Sequence, residues 1–86
     1  MSENQKKIWI TGASSGIGKA LALKFAKENW NVAISARRKE LLDQIAENEN
    51  ISSFPLDVTD DNKVQEVFSN ILSEFKGIDL CVFCSG

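Results

Sequence analysis

The chain has 86 residues, of which 43% are hydrophobic and 26% are charged, a composition that excludes disordered and collagen-like proteins. Ten lysine and arginine residues against twelve aspartate and glutamate residues give a net charge of −2, so we expect no nucleic-acid or anionic-membrane surface. Because one domain usually takes roughly 100–200 residues, residues 1–86 are expected to form part of a single, longer domain.

The N-terminus and the cysteines bear on the cellular compartment. Residues 1–7 are polar and lack the apolar core of a signal peptide, which predicts a cytoplasmic protein without a membrane span. The two cysteines, Cys81 and Cys84, and the absence of histidine predict neither a metal site nor a disulfide framework. On a strand these cysteines would lie about 10 Å apart, beyond disulfide reach, so we expect buried thiols.

A strand, a turn and a helix are predicted at the start of the chain. Apolar residues 8–10 predict a strand, which runs into the glycine-rich segment 11–18. Helical spacing then predicts a helix over 17–28, closed by Asn29 because asparagine tolerates the left-handed conformation. The apolar face predicted for this helix comprises Ile17, Ala20, Leu21 and Phe25.

The same alternation continues along the chain. Pro55 has no N–H to donate to a ladder, so the third strand should lie at a sheet edge. Thr59 or Asp60 is predicted to cap the last helix. Strands are predicted over 32–36, 51–56 and 80–84, and helices over 39–48 and 60–76. The apolar stripe of the last helix comprises Val64, Val67, Phe68, Ile71, Leu72 and Phe75.

Apolar strands that alternate with helices predict an α/β fold, a doubly wound Rossmann-type parallel sheet covered on both faces. With strand order 3-2-1-4 and right-handed crossovers, the first two helices lie on one face and the last helix lies on the other. One helix cannot cover a four-stranded face, so we expect a continuing chain or a partner to cover the remainder.

Three glycines, Gly12, Gly16 and Gly18, lie between the first strand and the first helix. The unpaired N–H groups and the positive dipole end of a helix attract phosphate. We expect Gly12 to permit the tight turn, Gly16 to let a pyrophosphate approach, and Gly18 to let the helix pack close to the strand. In this strand-turn-helix context, the glycines predict a dinucleotide site.

Three segments resemble the short-chain dehydrogenase/reductase family. Residues 11–18 match its Thr-Gly-x-x-x-Gly-x-Gly signature, residues 56–60 resemble its adenine-contacting segment, and residues 78–86 align with its fourth strand. The resemblance covers nearly the whole chain. It implies an oxidoreductase that transfers hydride between a nicotinamide cofactor and a small carbonyl or alcohol substrate, usually as a homo-oligomer.

These segments also indicate cofactor contacts beyond the glycines. Ser14 and Ser15 lie where phosphate or ribose oxygens would arrive, although turns use such residues as well. The resemblance assigns Asp57 to adenine N6, against the alternative that this aspartate only begins a turn. The cofactor-binding residues predicted from these segments are Gly12, Ser14, Ser15, Gly16, Ile17, Gly18, Asp57, Val58, Cys84, Ser85 and Gly86.

The sequence departs from the family pattern in two places. Phe83 and Cys84 stand where the family has paired asparagines, so only backbone contacts are expected near Cys84, Ser85 and Gly86. The family's catalytic serine and Tyr-x-x-x-Lys motif lie beyond these positions, and the chain has no tyrosine. We therefore assign no catalytic residue to these 86 residues.

The end of the second strand predicts which dinucleotide binds. An NAD enzyme needs a carboxylate there for the ribose 2′-hydroxyl, whereas this chain has Ala36, Arg37 and Arg38. An arginine fork pairs with a 2′-phosphate, so we predict NADP(H) over NAD, with Arg37 on the phosphate and Arg38 beside the adenine. The alternative is that both arginines form a solvated helix start.

The sequence thus favours the NADP(H)-binding portion of a short-chain oxidoreductase. The alternative is a non-catalytic nucleotide-binding or protein-interaction module that binds another chain with its exposed sheet face.

Overall fold

The computed structural model describes residues 5–12, 16–48, 50–57 and 59–83. The elements in chain order are β1 (Lys7–Thr11), α1 (Gly16–Lys27), β2 (Asn31–Ser35), α2 (Lys39–Ile45), β3 (Ile51–Ser53), α3 (Asp61–Phe75) and β4 (Leu80–Phe83). The predicted alternation is confirmed. α2 is shorter than predicted because Asn48 donates two hydrogen bonds to the Ile45 carbonyl, one from its side chain at 2.9 Å and one from its backbone at 3.1 Å.

The four strands pair in parallel in the order β3-β2-β1-β4, which confirms the predicted topology. β1 and β2 lie at the centre, and every residue of β2 is buried. Such strands are apolar on both faces because helices cover both sides. Asn29 has a φ of 72°, so the left-handed residue predicted at the end of α1 is confirmed.

Helices α1 and α2 cover one face of the sheet, and α3 lies on the other. Successive side chains of β1 alternate between these faces, so Ile8 and Ile10 face α1 and α2 whereas Trp9 faces α3. No helix within the described ranges is long and apolar enough to cross a membrane. The α3 core comprises Trp9, Ala33, Leu56, Val67, Ile71 and Phe75.

The buried face of α1 differs from the prediction. Gly18 and Ala22 are buried, whereas Ile17 is 74% exposed and Ala20 is exposed as well. The small residues allow the helix to approach the sheet closely, and this rotates the larger Ile17 outward. The expectation that Ile17 and Ala20 belong to the core face is therefore wrong. Ile17 lies instead at the exposed start of the helix.

α3 buries only one row of its apolar stripe. Val67, Ile71 and Phe75, spaced i, i+4 and i+8, are buried, whereas Phe68 and Leu72 on the neighbouring row are 40% and 38% exposed. The apolar stripe of α3 is therefore wider than the part of it that packs against the described sheet. This agrees with the expectation that one helix leaves part of a four-stranded face uncovered.

β4 forms one edge of the sheet, beside β1. Cys81 is exposed and Phe83 is 68% exposed. The expectation of a buried thiol is wrong for Cys81 within the described residues, where β4 pairs with β1 alone and the α3 core contains side chains of β1 and β2 rather than of β4. Cys84 lies outside the described residues.

β3 forms the opposite edge, as Pro55 predicts. The Phe54 N–H donates to the Ile34 carbonyl at 2.8 Å, and the Leu56 N–H donates to the Ala36 carbonyl at 3.0 Å. Backbone groups alternate sides along an extended chain, so the nitrogen of Pro55 faces away from β2. Its missing N–H therefore removes no hydrogen bond from the ladder.

Asp60 is the N-cap of α3, because its Oδ1 accepts a hydrogen bond from the Lys63 N–H at 3.2 Å. We expect Asp60→Ala to reduce the free energy of unfolding by about 1 kcal/mol, since an N–H of the first turn loses its acceptor. Urea denaturation measures this loss. Asp61→Ala is the control, because it removes a neighbouring carboxylate without removing the cap. Equal losses in both variants would show that charge, and not capping, is responsible.

Candidate functional site

The carboxyl ends of β1, β2 and β3 lie at one edge of the sheet, because the strands are parallel. The pairing of Thr11 with Ser35 aligns the ends of β1 and β2. The glycine turn follows β1, Arg37 and Arg38 follow β2, and Asp57 follows β3. The fold therefore brings the three predicted groups, which are separated in sequence, to the same edge of the sheet, the one formed by the carboxyl ends of its strands.

Gly12 begins the turn after β1. Its φ is 74°, in the left-handed region that favours glycine, as expected of the residue that begins the turn. Its N–H donates to the Ser35 carbonyl at 2.7 Å, which attaches the turn to the end of β2. Any side chain at position 12 would strain this backbone conformation.

Gly16 is the first residue of α1 and has a helical rather than a left-handed conformation. A Cβ atom at this position would meet no heavy atom within 4 Å outside its own turn and chain neighbours. Neither the backbone conformation nor packing within the described residues therefore requires glycine at position 16. Among the described residues, the space beside position 16 is unfilled, as a ligand that approaches the backbone would need.

Arg37 and Arg38 are both exposed at the end of β2. Arg38 is the N-cap of α2, with an extended backbone and no capping hydrogen bond from its side chain. The Ala36 carbonyl before them is held by the Leu56 N–H, so the backbone on which the arginines lie is fixed to the sheet. Both residues are therefore exposed to solvent on a backbone that is fixed at the carboxyl ends of the strands.

Asp57 lies directly beyond the β2–β3 ladder. Its Oδ1 accepts hydrogen bonds from the Thr59 hydroxyl at 2.7 Å and from the Thr59 N–H at 3.0 Å. These bonds, with a smaller contribution from the charge of Arg37, hold the pKa of the Asp57 carboxyl below its ordinary value. Asp57 is thus an ionised acceptor at neutral pH. It serves a turn as well, so the two predicted roles of this residue are compatible.

We expect Thr59→Val to raise the pKa of Asp57 towards its ordinary value, because the hydroxyl donor is lost while the N–H remains. The ionised form gains its stabilisation from the fold above the unfolded-state pKa and loses it as the pH falls through the lower folded-state pKa. Carboxyl-carbon NMR titration measures the change. Thr59→Ser keeps the hydroxyl and should keep the low pKa. An unchanged pKa in Thr59→Val would contradict this assignment.

Several predicted cofactor-binding residues lie outside the described residues, and the assignments to them remain predictions. Within the described ranges, no group of three or more histidine, cysteine, aspartate or glutamate residues is arranged to hold a metal ion. The residues outside the description are Ser14, Ser15, Val58, Cys84, Ser85 and Gly86.

A hydrogen bond beneath the site was missed by the sequence analysis. Trp9 is 2% exposed, and its indole Nε1–H donates to the buried Ser35 Oγ at 2.9 Å. This bond joins β1 to β2 just before both strands reach the glycine turn and the arginines. A buried tryptophan usually finds a partner for its N–H, so Trp9 signals an acceptor on a neighbouring strand. The identity of that acceptor depends on strand register.

The comparisons agree on one family. The family model for short chain dehydrogenase matches residues 6–86. Dehydrogenase/reductase SDR family member 7 of Mus musculus is 37% identical over 84 residues, which are 87% of this chain and 25% of that protein. A short-chain dehydrogenase structure from Streptomyces avermitilis aligns with a TM-score of 0.86 and 34% identity, covering 94% of this chain and 30% of that chain.

A second solved structure was determined with a cofactor. The 3-ketoacyl-(acyl-carrier-protein) reductase of Brucella melitensis, complexed with NADH, aligns with a TM-score of 0.85 and 29% identity, covering 93% of this chain and 34% of that chain. The present chain thus spans about a quarter to a third of the length of these proteins. Because the matched residues include the glycine turn, both arginines and Asp57, and the fold agrees with theirs, the chain belongs to the short-chain dehydrogenase family.

Proposed function

We propose that this chain is the NADP(H)-binding portion of a short-chain oxidoreductase. The observation that carries the proposal is the open helix start at Gly16, which lies at the same sheet edge as Arg37 and Asp57. A dinucleotide has three parts that such a site must bind. Its pyrophosphate needs N–H donors, its adenosine ribose needs a group that binds the 2′ substituent, and its adenine needs a polar acceptor. The three groups at this edge provide these in one place.

The first group holds the pyrophosphate. A pyrophosphate is attracted to the start of a helix by the helix dipole, and α1 starts at Gly16. Gly12, with a φ of 74°, begins the turn that leads to this helix start. We assign the hydroxyls of Ser14 and Ser15 to phosphate or ribose oxygens, and we assign Ile17 and Gly18, in the first turn of α1, to the neighbouring part of the ligand. Exposed Ile17 is free to contact a ligand.

The arginines select the cofactor, and Asp57 contacts its adenine. Arg37 forks towards a 2′-phosphate, Arg38 lies beside the adenine, and Asp57 accepts from adenine N6. A carboxylate at position 36, which would bind a 2′-hydroxyl and repel a phosphate, is replaced here by Ala36. This arrangement favours NADP(H) over NAD. Val58, Cys84, Ser85 and Gly86 are assigned backbone contacts along the same ligand.

The chemistry is a hydride transfer, in which the nicotinamide ring of the bound cofactor gives or takes the hydride of a carbonyl or alcohol carbon. The chain contributes binding and orientation to this reaction. It contains no tyrosine and no histidine, so the proton donor for the substrate oxygen comes from residues outside this segment. We therefore propose that residues 1–86 are part of a longer domain that completes the site in a cytoplasmic homo-oligomer.

Equilibrium titration of the full-length protein tests the cofactor assignment. Nicotinamide fluorescence measures Kd for NADPH and for NADH on the same sample. Tighter binding of NADPH is the expected result. A protein that binds NADH more tightly would overturn the NADP(H) assignment, and one that binds neither cofactor would overturn the cofactor site itself.

The alternative, an interaction module without catalysis, is favoured by a single observation. Phe68 and Phe83 are exposed, and their ring centroids lie 5.9 Å and 6.2 Å from that of Trp9. A continuing chain would cover these rings equally well, which is why we rank the oxidoreductase first. The discriminating observation is whether a Tyr-x-x-x-Lys motif follows residue 86 in the coding sequence.

The isolated segment provides a further prediction. We expect residues 1–86 alone to show no oxidation of NADPH with carbonyl compounds and to self-associate, because the proton donor is lacking and Phe68, Phe83 and Leu72 expose apolar surface. Analytical ultracentrifugation and an absorbance assay at a range of protein concentrations check both parts. A monomeric segment that turns over substrate would contradict the proposal that it is part of a longer domain.

A further inference from the structure

Lys39 follows the two arginines directly and is the first residue of α2. Side chains of a helix lean towards its N-terminus, so a lysine at the first position would by default extend back over the N-cap. Here that direction leads to Arg38 and the carboxyl edge. Lys39 instead points the other way. Its Nζ lies 2.8 Å from Asp43 Oδ2, one turn further into the helix.

Asp43 is fixed on its other side as well. The Ser53 hydroxyl, at the end of β3, donates to Asp43 Oδ1 at 3.2 Å. Both carboxylate oxygens are therefore used, one by the sheet and one by the lysine. The Lys39 ammonium, more than any other group, holds the pKa of the Asp43 carboxyl below its ordinary value, so the acceptor is ionised at neutral pH. Asp43 is the anchored member of the pair and Lys39 is the long, flexible one.

The pair is exposed to solvent, and exposed pairs of this spacing contribute little to stability. The lysine can therefore exchange one anionic partner for another at small cost. A 2′-phosphate bound by the arginines would be such a partner, because it is an oxygen anion and Lys39 directly follows Arg38 in the chain.

We propose that Asp43 is a specificity-determining positioning residue, which holds Lys39 away from the arginines and so limits the preference of the site for a cofactor with a 2′-phosphate. This inference rests on the proposed function. It makes Asp43 an acceptor that competes with the cofactor for one cation, although Asp43 itself does not contact the cofactor. Arg37 and Arg38 bind the phosphate alone while the lysine is held.

The test uses Kd for NADPH and NADH in the full-length protein. Asp43→Asn removes the charge but keeps an oxygen acceptor for Ser53, so the fold is retained. We expect it to tighten NADPH about 2- to 3-fold and to leave NADH unchanged, because a lysine that an exposed pair holds only weakly is released to the phosphate. The slope of log Kd for NADPH against log salt should also steepen, a change that a purely structural role of Asp43 would not produce.

Two comparisons separate the released lysine from a general loss of negative charge. Lys39→Met alone should hardly change Kd for NADPH, and Lys39→Met combined with Asp43→Asn should abolish the gain. Glu40→Gln is the matched control, because Glu40 is an exposed carboxylate of the same helix and forms no ion pair within the described residues. It should give less than half the gain of Asp43→Asn.

A gain that persists without Lys39, an equal gain for NADH or an equal gain in Glu40→Gln would each overturn the inference, as would no gain at all. Failure of the proposed function has a different signature. In that case the unmodified protein binds neither cofactor, or Arg37→Ala leaves the ratio of the two Kd values unchanged.

Discussion

Gly16→Val is expected to abolish cofactor binding while leaving the fold intact. A branched side chain at the start of α1 would occupy the space through which the pyrophosphate reaches the helix N–H groups. We expect Kd for both NADPH and NADH to rise at least about 100-fold. The free energy of unfolding should change by no more than about 0.5 kcal/mol, because position 16 is helical and a Cβ there meets no neighbour.

The separation of binding from stability is the essential part of this result. Gly16→Ala should give a smaller loss of affinity, in proportion to its single methyl group. Ala20→Val is the matched control, because it adds a branched side chain at an exposed position one turn further along α1. It should leave both Kd values unchanged. Cofactor affinity retained in a folded Gly16→Val protein would mean that the phosphate binds elsewhere.

Arg37→Ala is expected to change cofactor preference rather than cofactor binding in general. The loss of one charge-assisted contact should weaken NADPH by about 1.5–3 kcal/mol, or about 10- to 150-fold, because a guanidinium fork is replaced by a methyl group. NADH has no 2′-phosphate, so its Kd should hardly change. The ratio of the two Kd values, measured on one preparation, reports this directly.

Two controls define what the arginine does. Lys24→Ala removes an exposed cation from α1, away from the strand ends, and should change neither Kd. Arg38→Ala should weaken NADPH and NADH by similar factors, since its assigned partner is the adenine that both contain. If Arg37→Ala weakens both cofactors equally, Arg37 is structural or lies against a part of the ligand that NADPH and NADH share.

Local patterns in the sequence determined the elements and the parallel sheet, and they predict the edge at which the candidate site lies. Apolar strands alternating with helical spacing already require a parallel sheet, and right-handed crossovers then leave few topologies. Pro55 marks β3 as an edge strand because it has no N–H to donate, and Asn29 ends α1 because it tolerates a positive φ. These properties belong to single residues or to one element, so no knowledge of distant neighbours was needed.

The tertiary structure decided which face of each element is buried and which polar groups form hydrogen bonds with each other. Periodicity predicts an apolar stripe on α1 but not its rotation, and the close approach allowed by Gly18 and Ala22 turned Ile17 outward. Cys81 is exposed because, among the described strands, β4 pairs with β1 alone. The bonds from Trp9 to Ser35 and from Ser53 to Asp43 join different elements, so they depend on register and helix placement, which only the packed chain determines.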